Sequence, residues 1–239
     1  MIRIFPSPLE LAEKLAEEIV LMIDESEKRK IPFSLALSGG STPKLLYSVL
    51  GDHFSHSVNW EYVHFFWGDE RCVPPGSQES NYFMTRKTLL DKIDIPASNI
   101  HRIRGEDDPV KEAARYSEDI SYTTRQRNGL PLIDLFILGL GEDGHTASIF
   151  AENRELLDSE KICEVAVHPV ALQKRITVTG RIINNADLVC FLVTGRNKAE
   201  IVKNILNENQ EICNLPASFI VPLYGEIRWF IDKDAAELL

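Results

Sequence analysis

Leu9, Ala12, Leu15, Ile19 and Ile23 recur at helical spacing after Pro8, which predicts one amphipathic helix. Further on, the pattern changes to short, nearly continuous apolar runs at 33–37, 62–67, 133–138 and 188–193. Runs of that kind fit strands buried on both faces, as in a parallel sheet. Three more strands are expected at 162–167, 175–179 and 227–231. Helical patterns over 81–92, 110–125 and 198–206 fall between strands, and another runs to Leu50 with Pro43 in its first turn. This alternation predicts an α/β fold, a single domain over 1–239. Its Rossmann-like architecture is a mainly parallel sheet with helices on both faces. No internal repeat or low-complexity linker interrupts it.

The polar motifs share a position, just after the carboxyl end of a predicted strand, where open α/β sheets bind ligands. Ser38-Gly39-Gly40-Ser41-Thr42-Pro43 is the first. Gly39 and Gly40 let the backbone approach a ligand, and the following helix aims free N–H groups at an anion. The hydroxyls of Ser41 and Thr42 add donors. The plainer alternative is a tight turn with Ser or Thr as the helix cap. P-loop spacing is absent. Asp69-Glu70-Arg71 follows the second strand. Arg71 can fork onto a carboxylate, a phosphate or a developing oxyanion, whereas a surface salt bridge is the common fate of such charges.

Gly139-Leu140-Gly141-Glu142-Asp143-Gly144-His145 satisfies G-x-G-x-x-G after a strand. A dinucleotide site is nevertheless excluded, because Glu142 and Asp143 would place negative charge where a pyrophosphate should sit. His145, set among three glycines at a strand end, is a candidate general base. Asp143 is placed to orient its ring or to hold a substrate hydroxyl. Arg175 and Lys198 are candidates to pair with a phosphate, although most such cations are simply solvated. His53 and His56 lack a third ligand at plausible spacing and read as surface residues. Cys72 adjoins acids and no base, which disfavours a thiolate nucleophile.

Composition narrows the picture. Hydrophobic residues make up 44% and charged residues 26% of the 239, ordinary for a soluble globular protein with a sizeable core. A net charge of −10 argues against nucleic acid or anionic membranes as partners, so an anionic substrate must be captured by a local basic site. The four cysteines, Cys72, Cys163, Cys190 and Cys213, form no C-x-x-C pair, which suits a reducing compartment. No segment has the roughly 20 apolar residues of a membrane span, and the N-terminus does not read as a signal peptide. A cytosolic protein is expected, with no cofactor, no metal and no obligate protein partner.

With these segments in hand, the chain resembles the 6-phosphogluconolactonases, within the glucosamine-6-phosphate isomerase and lactonase superfamily. The resemblance runs in order through the Ser-Gly-Gly-Ser-Thr-Pro loop, Asp-Glu-Arg with Ser80-Asn81, and Asp-Gly-His-Thr-Ala-Ser at 143–148. It continues through Arg-Ile-Thr-Val-Thr at 175–179, Thr-Gly-x-x-Lys-Ala at 194–199, Leu215-Pro216-Ala217 and Trp229-Phe230-Ile231-Asp232. It implies the NagB-type α/β fold and metal-free hydrolysis of a phosphorylated sugar lactone. His145 would be the base, and Gly40, Ser41, Thr42, Arg175 and Lys198 would surround the phosphate. Asp69, Arg71 and Asp143 would complete the polar shell.

Two features depart from the family pattern: Ala151 stands where a proline is usual, and Val170-Ala171-Leu172 stands where many members carry a Lys-Pro-Pro segment. One phosphate-side cation is therefore missing or replaced, with Lys174 and His168 as candidates. The nearest rival, a glucosamine-6-phosphate isomerase and deaminase, carries a glutamate where Phe150 stands and Asp-Glu-Tyr where Asp69-Glu70-Arg71 stands. A sugar-phosphate sensor without turnover is the rival from another class, and His145 with Asp143 argues against it.

Overall fold

The computed structural model describes residues 1–206 and 214–239; Cys213 lies outside the described residues. Helix α1 (Pro8–Arg29) starts where Ser7 accepts the Glu10 N–H and Pro8 fills the first turn, a position where proline forfeits no helical bond. It buries Leu11, Ala12, Leu15, Ala16, Ile19 and Ile23. Leu9, expected on the same stripe, is 48% exposed.

Six parallel strands form the main sheet: β1 (Ile2–Phe5), β2 (Phe33–Leu37), β3 (Val63–Trp67), β7 (Leu135–Leu138), β10 (Leu188–Val193) and β11 (Glu226–Asp232). Their order is β1-β11-β10-β7-β2-β3. Every residue of β2, β7 and β10 is buried, as expected of central strands covered on both faces. Helices flank the sheet: α1 packs on α2 (Ser41–His53), and α4 (Pro109–Thr123) packs on a second, smaller sheet. One cluster of buried apolar side chains, from Leu11 to Ala235, takes in residues of both sheets.

That second sheet is the antiparallel part of the mainly parallel fold. The strands expected at 162–167 and 175–179 exist as β8 (Cys163–Val167) and β9 (Lys174–Val178), but they stand outside the parallel sheet. They pair antiparallel with each other and with β4 (Asp69–Arg71), in the order β4-β9-β8. The cause is connection length: six residues join β8 to β9, whereas a parallel crossover needs about a dozen or more. A hairpin, β5 (Arg125–Arg127) and β6 (Leu130–Leu132), completes the strands among the described residues. The helix expected over 81–92 is α3 (Asn81–Thr88), followed by a separate 3-10 turn at Leu90–Lys92.

Candidate active site

The carboxyl ends of β2, β3, β7 and β10 open on one edge of the parallel sheet, and the motifs meet there. Ser38, just past β2, is held by three bonds. Its N–H donates to the Tyr47 hydroxyl at 2.9 Å, that hydroxyl donates to the Ser38 carbonyl at 2.9 Å, and its Oγ donates to the Ile137 carbonyl at 2.8 Å. The turn then reaches Gly40 at φ +111°, the residue capping α2; glycine takes that conformation without the penalty of a Cβ. No side chain caps the helix, so its first N–H groups stay available to an anion. Ser41 and Thr42 form the first turn of α2, with the Thr42 hydroxyl 2.7 Å from that of Thr194.

Glu70 is the structural member of its triplet. Its buried carboxylate accepts the N–H groups of Arg71, Asn81 and Tyr82 at 2.8 Å each and the Ser80 hydroxyl at 2.9 Å. Burial raises its pKa, and these donors oppose the rise. An acid thus caps the N-terminus of α3, a favourable place for negative charge, and presents Asn81 to the cleft. Asp69, also buried, receives the Ser148 hydroxyl at 2.6 Å and the Asn81 amide at 3.2 Å. Arg175 Nη1 stands 3.9 Å from the same carboxylate.

Arg71 and Arg175 are register partners across β4 and β9. Like charges placed directly opposite destabilise a sheet. Burial lowers the Arg175 pKa, and although Asp69 opposes that shift, Arg71 adds to it. The Nε–H of each guanidinium is buried and has no hydrogen-bond partner among the described residues. The two cations therefore lack full compensation within the protein, the arrangement expected of a site that receives an anion.

After β7 the chain folds into a compact loop in which the Gly141 N–H donates to the His145 carbonyl at 2.8 Å. A Cβ on Gly141 would sit 2.1 Å from His145 Nδ1, so only glycine lets the ring pack there. His145 Nδ1 lies 2.5 Å from Asp143 Oδ1. The hydrogen bond from His145 holds the Asp143 carboxyl down at about 2, so it is a carboxylate throughout the neutral range. The imidazole rests on the fully buried Phe150, with ring centroids 4.7 Å apart.

A cleft of about 160 Å³ is lined by Gly39, Gly40, Asp69, Arg71, His145 and Arg175 together with Ser38, Asn81 and the strand-end residues 139–141 and 147. Asp143 adjoins it through His145. Ser41, Thr42 and Lys198 lie outside its wall. Burial lowers the pKa of Lys198, opposed by Glu142 and Asp143. Asn197 donates to Glu142 at 2.5 Å, tying the loop after β10 to the histidine loop. Asn81, Ser148 and Phe150 were not singled out as site residues from the sequence, although two of them lie inside motifs quoted above. The signal that identifies Asn81 and Ser148 is the burial of Asp69, which requires donors. Burial and Glu70 push the Cys72 thiol up to about 11, which keeps it protonated at neutral pH. Among the described residues, no three His, Cys, Asp or Glu side chains converge to hold a metal ion, and no helix is long and apolar enough to cross a membrane.

Residues 6–229 match the family described as glucosamine-6-phosphate isomerases/6-phosphogluconolactonase. The chain belongs to this family. Among family members, the 6-phosphogluconolactonase of Haemophilus influenzae is 42% identical over 236 residues, 98% of each chain. The crystal structure of the devB protein superposes with a TM-score of 0.94 at 38% identity, covering 99% of both chains. The 6-phosphogluconolactonase from Trypanosoma cruzi does so at 0.89 and 32%, covering 100% of this chain and 96% of that one.

Proposed function

We propose that the chain hydrolyses 6-phospho-D-glucono-1,5-lactone to 6-phospho-D-gluconate, with His145 as general base. One observation carries this reading: the Asp143–His145 dyad and the incompletely compensated pair Arg71 and Arg175 meet in one cleft. In the neutral ring, Nδ1–H donates to the Asp143 carboxylate, leaving Nε2 as the base. Nε2 takes a proton from water as its oxygen attacks C1, and the carbonyl electrons move onto oxygen. Arg71 stabilises that oxyanion, a type of contribution that ranks among the largest in acyl transfer. The imidazolium then protonates the ring oxygen as the C1–O bond breaks. Arg175, the open end of α2 and Lys198 hold the distal phosphate.

Phe150 supports the lactonase over the deaminase, because an aromatic ring cannot perform the proton shuttling of the glutamate that the deaminases carry there. Free thiols at Cys72, Cys163 and Cys190 support a reducing, cytosolic setting. The test supplies fresh lactone and follows 6-phosphogluconate with a coupled dehydrogenase, beside glucosamine 6-phosphate. Turnover of the lactone above its spontaneous rate is expected. Release of ammonia from glucosamine 6-phosphate, with no acceleration on the lactone, would replace this reading by the deaminase.

A further inference from the structure

His168 stands just past β8, where the hairpin turns back toward β9. Its Nδ1 accepts two backbone N–H groups, from Val170 at 3.2 Å and Ala171 at 3.1 Å. With that lone pair engaged, the proton of the neutral ring sits on Nε2. Among the described residues, Nε2 has no hydrogen-bond partner. The ring packs edge-on against Phe150 with centroids 5.1 Å apart. Phe150 is the same buried ring that carries His145 at 4.7 Å and the Arg175 guanidinium at 5.7 Å. Three polar groups from three segments therefore share one aromatic ring: His145 and Arg175 belong to the cleft wall, and His168 stands outside that wall on its own contact with Phe150.

The electrostatic surroundings of His168 are those of the cleft. Arg175, His145 and Arg71 lower its pKa in addition to burial, the largest cause, and Asp143 opposes them. These causes favour the neutral ring, with one N–H in a region of positive potential. That combination suits an oxygen of an anion, for which a neutral donor adds a bond without adding repulsion.

We propose that His168 is a specificity-determining residue that donates its Nε2–H to a phosphoryl oxygen also held by Arg175. The inference rests on the lactonase reading of the same cleft. His168 also braces its own loop through Nδ1, and the two roles are separable by substitution. Asparagine at this position keeps an acceptor for the N–H groups two and three residues on, a common local motif, but removes the ring and the distal donor. Glutamine places an amide N–H near the position of Nε2.

For His168→Asn, a near-wild-type melting temperature is expected. Its kcat/KM for the phosphorylated lactone, divided by that for unphosphorylated gluconolactone, falls roughly 10- to 150-fold, the range for a hydrogen bond to a charged group. His168→Gln recovers part of this preference. Calorimetric titration with 6-phosphogluconate and with inorganic phosphate shows a parallel loss of affinity in His168→Asn. An unchanged ratio in His168→Asn, or equal losses on both lactones, overturns the proposal. If the wild-type protein accelerates neither lactone, the parent reading fails by itself. The phosphate titration then decides about His168 independently, and equal affinities in wild type and His168→Asn reject it.

Discussion

Replacing Arg175 by alanine separates a substrate-binding role from a structural one. Its side chain is 11% exposed and its nearest counter-charge, Asp69, stands 3.9 Å away. In the variant, Asp69 keeps the Ser148 hydroxyl at 2.6 Å and the Asn81 amide at 3.2 Å, so the carboxylate is not stranded. The variant also loses the repulsion from Arg71 across the sheet and one buried Nε–H without a partner. These gains offset part of the lost ion pair, leaving a stability loss of about 1–2 kcal/mol. Binding has no such compensation. A charge-assisted hydrogen bond to phosphate is worth about 1.5–3 kcal/mol, so KM for the phosphorylated lactone should rise roughly 10- to 150-fold. Initial rates on both lactones, together with thermal melts, measure the two effects. An unchanged KM with a large fall in melting temperature would make Arg175 the counter-ion of Asp69 and refute the assignment.

Gly141→Ala places a Cβ 2.1 Å from His145 Nδ1 and 2.4 Å from Asp143 Oδ1; kcat should collapse while circular dichroism stays native, and wild-type turnover would show that the ring has another resting place. Asp143 supplies a pH test. Its folded pKa of about 2 lies below its ordinary 3.8, so the folded state binds fewer protons and is stabilised at higher pH. That contribution is complete above about pH 4–5 and disappears as pH falls through about 2. The melting-temperature gap between wild type and Asp143→Asn should narrow over that window, and a gap that widens toward pH 2 would contradict the pairing. Exhaustive chelation should leave lactonase activity unchanged, because the proposed chemistry runs through His145 and Asp143; loss of activity restored by stoichiometric zinc would reassign water activation to a metal.

The parallel core was legible because central strands buried on both faces are apolar almost throughout. The runs around β2, β3, β7 and β10 announced themselves, as did the glycine-rich turns that follow β2 and β7. Strand β4 was hidden: Asp69-Glu70-Arg71 has no strand propensity, and its extended form comes from pairing with β9, a tertiary effect that outweighs local preference. Strands β8 and β9 were legible as apolar runs, and the six-residue loop between them sets their antiparallel pairing. β1 escaped notice as a short edge strand whose Ile2 and Ile4 face outward. At the site, the residue types and their order located the cleft. The cross-strand opposition of Arg71 and Arg175, and the Phe150 platform beneath His145, depend on register and rotamer, which no linear pattern records.

The most direct test of the account is the turnover of His145→Asn on fresh 6-phosphogluconolactone, corrected for spontaneous hydrolysis, with 6-phosphogluconate affinity and circular dichroism measured on the same preparation. Loss of the base predicts a fall in kcat of roughly 10²–10⁴-fold, with product still bound and the fold intact. A folded His145→Asn variant that binds product and turns over at a near-wild-type kcat would remove His145 from the chemistry.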